Sequence, residues 1–231
     1  MRRRASHSQR PRVGADTKRP LGLIVLAVVF VLMAALAVAS LLMALLQQGS
    51  MSSAAGGAKD LAGNTVVLDD GQQPTKQQVA AMKPQQESGM RFTVPSVGLD
   101  VGMQSLSVVD GVIVPPGFRD AYLVRNLGVG LDQAKDGTVF VVMHSVQGGL
   151  APGNYLTNVE QGSIKLAKGA RIQVGERSYQ VTGGELLPKS SLQDESRVWQ
   201  NTPGRLVVIT CLERVSGRSL QNAVIYATLQ S

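Results

Sequence analysis

The chain has 231 residues, 23 Lys and Arg against 16 Asp and Glu for a net charge of +7, and a single cysteine. That length allows one compact domain with appendages, and one cysteine excludes an intramolecular disulfide. Apolar residues make up 44% of the chain while aromatics make up only 4%, and much of this excess lies near the amino terminus.

Within residues 1–20, Arg2, Arg3, Arg4, Arg10, Arg12, Lys18 and Arg19 face one acid, Asp16, giving net +6. Leu21 to Leu46 then runs for 26 residues without a charged side chain, whereas about 20 apolar residues span a bilayer. We read residues 21–46 as a transmembrane helix, with the basic tail 1–20 held in the cytoplasm by the positive-inside bias. A secretory signal peptide is the competing reading, with a small-residue site at Ser50 to Ala55, but its apolar core typically runs only about 7–15 residues. Setting the tail aside leaves +1 on the rest of the chain. Nucleic-acid binding thereby loses its support, and topology and anionic lipid account for the basic run.

Residues 47–88 are polar, with Gly, Ser, Ala and Gln clusters, and bury too little apolar area to offset ordering entropy, so a flexible stalk is expected. Within it a short helix is expected over Gln77–Met82. The folded part, 89–231, opens with short strands at Arg91–Pro95 and Val97–Met103. Asp110-Gly111 between apolar pairs is a hairpin signal over Ser107–Pro115. Asp120–Leu127 has weak helical spacing. Gly128-Val129-Gly130 lacks the third glycine and leading strand of a nucleotide fingerprint and reads as a loop.

Gly137–His144 is the clearest central strand, apolar as if buried on both faces. A loop 145–153 and a short helix over Asn154–Val159 follow. Ile164–Ala167, Ala170–Val174 and Ser178–Thr182 are expected strands, with a turn at Gly175-Glu176. Gly183–Leu187 continues the pattern, Leu192–Gln200 reads as helix, and Arg205–Cys211 and Asn222–Leu229 close the chain as strands. Many short strands with few helices indicate an antiparallel barrel or sandwich.

Two apolar strands end in groups capable of chemistry. His7 lies in the cytoplasmic tail, so His144 is the one imidazole that can meet Cys211 outside the membrane. A Cys–His pair is the minimum for thiol catalysis, since the thiolate is the nucleophile and imidazole moves the proton near neutral pH. The competing reading is a small buried residue at a strand end, and the residues by themselves leave both open. Arg214 and Arg218, three and seven residues beyond the cysteine, are candidate stabilisers of an oxyanion. No metal or other cofactor is expected, because one Cys and one His leave a ligand set incomplete.

The order of parts resembles that of the sortases, membrane-anchored cysteine transpeptidases of Gram-positive bacteria, closest to the class E/F type of high-GC species. The resemblance covers Met90 to Ser231. Val208-Ile209-Thr210-Cys211 matches the end of the family's Thr-Leu-x-Thr-Cys signature, and Gly137–His144 resembles the strand that usually ends in Ala-Gly-His. Val142 and Met143 depart from that Ala-Gly. The family arginine normally stands a few residues before the Val-x-Ala of the last strand, where this chain has Asn222 and, further back, Arg218.

The resemblance implies a mainly β fold, a closed barrel of about eight strands with short helices, preceded by the transmembrane helix and stalk. It implies Cys211 as nucleophile, His144 as general acid and base, Arg218 as oxyanion stabiliser with Arg214 second, and Thr210 as a substrate-binding residue. The implied reaction cleaves a sorting signal of the Leu-Pro-x-Thr-Gly type on secreted proteins and transfers the acyl group to an amine acceptor such as a peptidoglycan precursor. The stretch Leu187–Pro203 is expected to wall the site. The alternative is a non-catalytic, membrane-anchored β-domain that binds envelope partners. An L,D-transpeptidase is disfavoured, because Ile209-Thr210 stands where its histidine and glycine would precede the cysteine.

Overall fold

The computed structural model describes residues 57–66, 74–111 and 113–230. The basic tail, the apolar segment Leu21–Leu46 and part of the expected stalk lie outside the described residues. Among the described residues, no helix is long and apolar enough to cross a membrane.

The described residues form ten strands: β1 Gln85–Val94, β2 Leu99–Leu106, β3 Ala121–Val124, β4 Thr138–Val142, β5 Thr157–Asn158, β6 Ser163–Ile164, β7 Arg171–Val174, β8 Arg177–Pro188, β9 Arg205–Leu212 and β10 Gln221–Leu229. Eight close into a barrel in the order β1-β2-β3-β4-β9-β10-β8-β7, with β7 pairing back to β1, and β5 and β6 form a separate two-stranded sheet. Closure satisfies the edge N–H and C=O groups that an open sheet would expose.

Alternation along the strands divides the apolar side chains into two layers. Phe92, Val101, Leu123, Val141, Ile172, Val181, Val208 and Ile225, one from each barrel strand, belong to one cluster, the barrel interior. The intervening residues of β3, β4, β9 and β10, such as Tyr122, Phe140, Val142, Val207, Ile209 and Val224, form a second cluster on the outer face. That outer layer is covered by Met82 and by Val198 and Trp199. Trp199 stacks on Phe140 at 5.8 Å between ring centroids, so β4 and β9 are buried on both faces, which is why they read as unbroken apolar runs.

The expected all-antiparallel arrangement is not what forms. β2 pairs parallel with β3, and β4 pairs parallel with β9. Long connections permit this, since parallel neighbours need a crossover of a dozen or more residues. Ala121–Val124, expected to be helical, is instead a strand buried along its whole length between β2 and β4. Four consecutive apolar residues fit a strand covered on both sides, and tertiary burial overrides weak helical spacing. At Asp110-Gly111 both residues have positive φ, 51° and 72°, the backbone of a type I′ turn. Among the described residues no strand flanks it, and Val109 beside the turn is a β-bridge residue.

The ordered body also begins before residue 89. Lys76–Met82 is a helix whose Thr75 cap accepts from Gln78 N–H while the Gln78 side chain accepts from Thr75 N–H, a capping box. Met82 at its end is fully buried. Further upstream, residues 57–66 carry a bridge between Lys59 and Thr65. The buried Asp60 accepts from the Leu150 and Asn64 backbone N–H groups, each at 2.8 Å. Ala58 and Val66 pack on Phe118, Val146 and Ala151.

Candidate active site

The parallel pairing of β4 with β9 sets the site. Its register is Val141 with Val208 and Val142 with Ile209, and Met143 N–H continues the ladder to Ile209 O at 3.1 Å. Two residues beyond the Val142–Ile209 pair, the same register brings His144 level with Cys211. Parallel strands run the same way, so both residues leave the barrel at the same rim. Both also alternate with Val142 and Ile209 onto the outer face. A pair 67 residues apart in sequence thus becomes local in space.

The rung extends further. Cys211 pairs with Asn222 of β10, and Asn222 pairs with Leu187 of β8. Directly opposed residues of an antiparallel pair point to one face, so Asn222 stands beside Cys211.

A cavity of about 310 Å³ opens over this rung. Cys211, His144 and Asn222 line it, together with Pro115 from the β2–β3 connection and Lys189, Leu192 and Trp199 from the β8–β9 connection. The stretch expected to wall the site therefore contributes three of its lining residues. Trp199 Nε1 donates to Leu192 O at 2.8 Å, and Arg197 donates to Glu185 at 2.8 and 3.0 Å, which hold this wall in place.

His144 is buried, 9% exposed. Its ring stacks on Phe118 at 4.5 Å between centroids, and Nε2 lies 2.7 Å from Pro115 O. A carbonyl oxygen only accepts, so Nε2 carries the proton and Nδ1 is the basic nitrogen. Burial pushes the imidazole pKa down to about 4, the Pro115 carbonyl opposes this, and the Lys189 charge adds to it. Cys211 is the free cysteine, partly exposed. Burial pushes its pKa up; the Lys189 charge opposes this, Glu213 adds to it, and polar contacts from Lys189 and Ser219 favour the thiolate. Near pH 7 the resting pair is thus a neutral thiol and a neutral imidazole.

Thr210 also borders the cavity, but its side chain alternates to the barrel interior and its Oγ1 lies 2.9 Å from Ser145 Oγ. Arg214 and Arg218 are exposed on the β9–β10 connection and are not among the residues that line the cavity. Lys189 is not legible as a site residue from sequence, because a lone lysine after a strand carries no motif. In the sequence, Asn222 stands where the family resemblance places an arginine. No group of three or more His, Cys, Asp or Glu among the described residues is arranged to hold a metal ion.

Solved structures similar to this chain include sortases. Sortase A of Listeria monocytogenes aligns at 17% identity and TM-score 0.44, covering 62% of this chain and 86% of that one. A Clostridium perfringens sortase D5 transpeptidase aligns at 14% identity and TM-score 0.43, covering 62% and 78%. A lid mutant of Corynebacterium diphtheriae sortase A aligns at 12% identity and TM-score 0.46, covering 67% and 76%. No family model matches the chain, and no curated protein matches it.

Proposed function

We propose that this chain is a sortase-type cysteine transpeptidase that takes an acyl group from a Leu-Pro-x-Thr-Gly type sorting signal and passes it to a primary amine. The observation that supports this reading is the level placement of His144 and Cys211 on one face, in one cavity, by the β4–β9 register. A nucleophile and a base brought together at the open rim of a rigid scaffold are the minimum for acyl transfer.

In this reading the Cys211 proton passes to His144 Nδ1 as Sγ attacks the Thr carbonyl carbon. The new S–C bond forms as the carbonyl electron pair moves onto oxygen. Collapse of this intermediate breaks the C–N bond, and His144 returns the proton to the departing glycine amine. An acceptor amine then attacks the thioester carbonyl and loses its proton to His144; as the amide forms the C–S bond breaks, and the departing sulfur takes that proton from His144 to regain its thiol. The apolar segment Leu21–Leu46 anchors the enzyme, and the barrel works outside the membrane on secreted proteins and a peptidoglycan-type acceptor.

The test is transfer of a labelled sorting peptide to an oligoglycine by the full chain. Wild type is expected to give the joined product and, on acid quench, a Cys211 adduct with the mass of the peptide less its leaving amine. Cys211→Ala is expected to give neither. Product formation by Cys211→Ala sinks the proposal, and complete inactivity of the wild type towards all sorting peptides and amines favours a non-catalytic binding domain.

A further inference from the structure

We infer that Lys189 and Asn222 are the groups that receive the negative charge of the tetrahedral intermediate, Lys189 as the cation and Asn222 as a hydrogen-bond donor. The inference rests on the proposed acyl transfer and replaces the arginine expected from sequence with two residues that the barrel brings to the thiol.

Three placements carry it. Asn222 is the direct cross-strand partner of Cys211 and is buried, so its side chain is fixed on the thiol's face by the sheet itself. Lys189 follows β8 immediately, two residues beyond Leu187, which occupies the same rung as Asn222 and Cys211. Alternation therefore returns Lys189 to the outer face, diagonal to Asn222, within the reach of a long side chain. Its backbone is held there, since Lys189 N–H donates to Leu220 O at 2.9 Å. Finally, among the described residues that line the cavity, Lys189 is the one Lys or Arg.

The division of labour follows from the chemistry. When Sγ attacks, charge develops on the carbonyl oxygen, and donors fixed in advance in a water-poor cleft stabilise it without reorganising. An asparagine amide supplies a directed N–H but no charge. A lysine supplies charge and three rotatable donors. Together they cover what one guanidinium would do. The same ammonium stands beside the thiol, where it also favours formation of the thiolate.

Glu213 lines the same cavity and tempers the field of Lys189 around the sulfur. His144, the other titratable group facing the thiol, contributes no charge near pH 7.

The experiment compares wild type, Lys189→Met, Lys189→Arg, Asn222→Ala and Arg218→Ala in the full chain, by steady-state transfer to an oligoglycine and by iodoacetamide alkylation of Cys211 against pH. Loss of one oxyanion donor costs on the order of 100- to 1,000-fold in kcat. Lys189→Met and Asn222→Ala are each expected to lose about 100-fold in kcat with KM changed far less, because the interaction forms only in the transition state. Lys189→Arg is expected to restore part of the loss, and Lys189→Met to move the alkylation profile to higher pH. A lysine that merely supports the fold would leave that profile in place.

Wild-type kcat in Lys189→Met, with the loss appearing in Arg218→Ala instead, overturns the inference while leaving the acyl-transfer reading intact. A wild type that alkylates at Cys211 but transfers nothing overturns both.

Discussion

Ser145 Oγ and Thr210 Oγ1 lie 2.9 Å apart in a buried hydrogen bond that joins the residue after His144 to the residue before Cys211. Because neighbours on a strand point to opposite faces, this bond lies behind His144 and Cys211, on the interior side of the barrel wall. Gly153 closes over it. A Cβ built there would stand 1.9 Å from Thr210 Oγ1, 2.4 Å from Ser145 Oγ and 2.8 Å from His144 O, and Gly153 N–H donates to that same His144 carbonyl at 2.8 Å. Access at the front is thus matched by close packing at the back.

Gly153→Ala is expected to lower stability by about 1–3 kcal/mol, the usual effect of overpacking, and to lower transfer more than its stability loss explains, since the displaced atoms adjoin both His144 and Cys211. Ser145→Ala removes one partner of a buried pair and is expected to cost about 1–3 kcal/mol. Urea unfolding beside steady-state transfer separates the two effects. A Gly153→Ala variant as stable as wild type would mean that the back wall yields freely.

Thiol reactivity should report the charges around Cys211. Because burial raises its pKa above the ordinary value of 9.0, alkylation near pH 7 is expected to be slower than for a free thiol, with its midpoint on the alkaline side of 9.0. Glu213→Gln removes a charge that disfavours the thiolate and is expected to move the midpoint down. Iodoacetamide trapping followed by mass spectrometry gives both profiles, and an unmoved midpoint in Glu213→Gln would remove Glu213 from the field at the sulfur.

His144 links stability to acid. Its folded pKa of about 4 lies below the ordinary 6.5, so between these values the unfolded chain binds more protons than the folded one. The resulting stabilisation is present above pH 6.5 and is lost as pH falls towards 4. Linkage puts the loss by pH 4.5 at about 2–3 kcal/mol. Urea unfolding at pH 7 and pH 4.5 should show it in wild type but much less in His144→Asn. Equal acid sensitivity in the two proteins would show that His144 is not buried neutral. In catalysis the same pKa predicts an acidic limb for kcat/KM near pH 4 to 5 rather than near 6.5.

The segment 57–66 bears on the site through Phe118. Val66 and Ala58 pack on a small cluster containing Phe118, and Phe118 stacks on His144. Asp60→Ala removes the acceptor for Leu150 N–H and Asn64 N–H. It is expected to make 57–66 more susceptible to limited proteolysis and to slow transfer several-fold, with Cys211 alkylation at alkaline pH little changed. Unaltered cleavage kinetics would show that these two bonds do not hold the segment.

The sequence by itself determined the two strands that position the candidate site. Thr138–Val142 and Arg205–Leu212 are legible because strands covered on both faces require unbroken apolar runs, and His144 and Cys211 stand out because each is scarce in this chain. It also located the turn at Gly175-Glu176 and the short helix ending at Met82, which rest on local turn and capping preferences. Tertiary structure decided the rest. The parallel pairing of β4 with β9, the conversion of Ala121–Val124 into a strand, and the docking of residues 57–66 all depend on partners distant in sequence, to which local periodicity is blind.

The same reason governs which polar and charged side chains face Cys211. From Cys211 the nearest arginines in sequence are Arg214 and Arg218, yet a turn carries both into solvent. Lys189 and Asn222 are 22 and 11 residues from the cysteine along the chain, and it is the β8–β10–β9 register that lays them beside it.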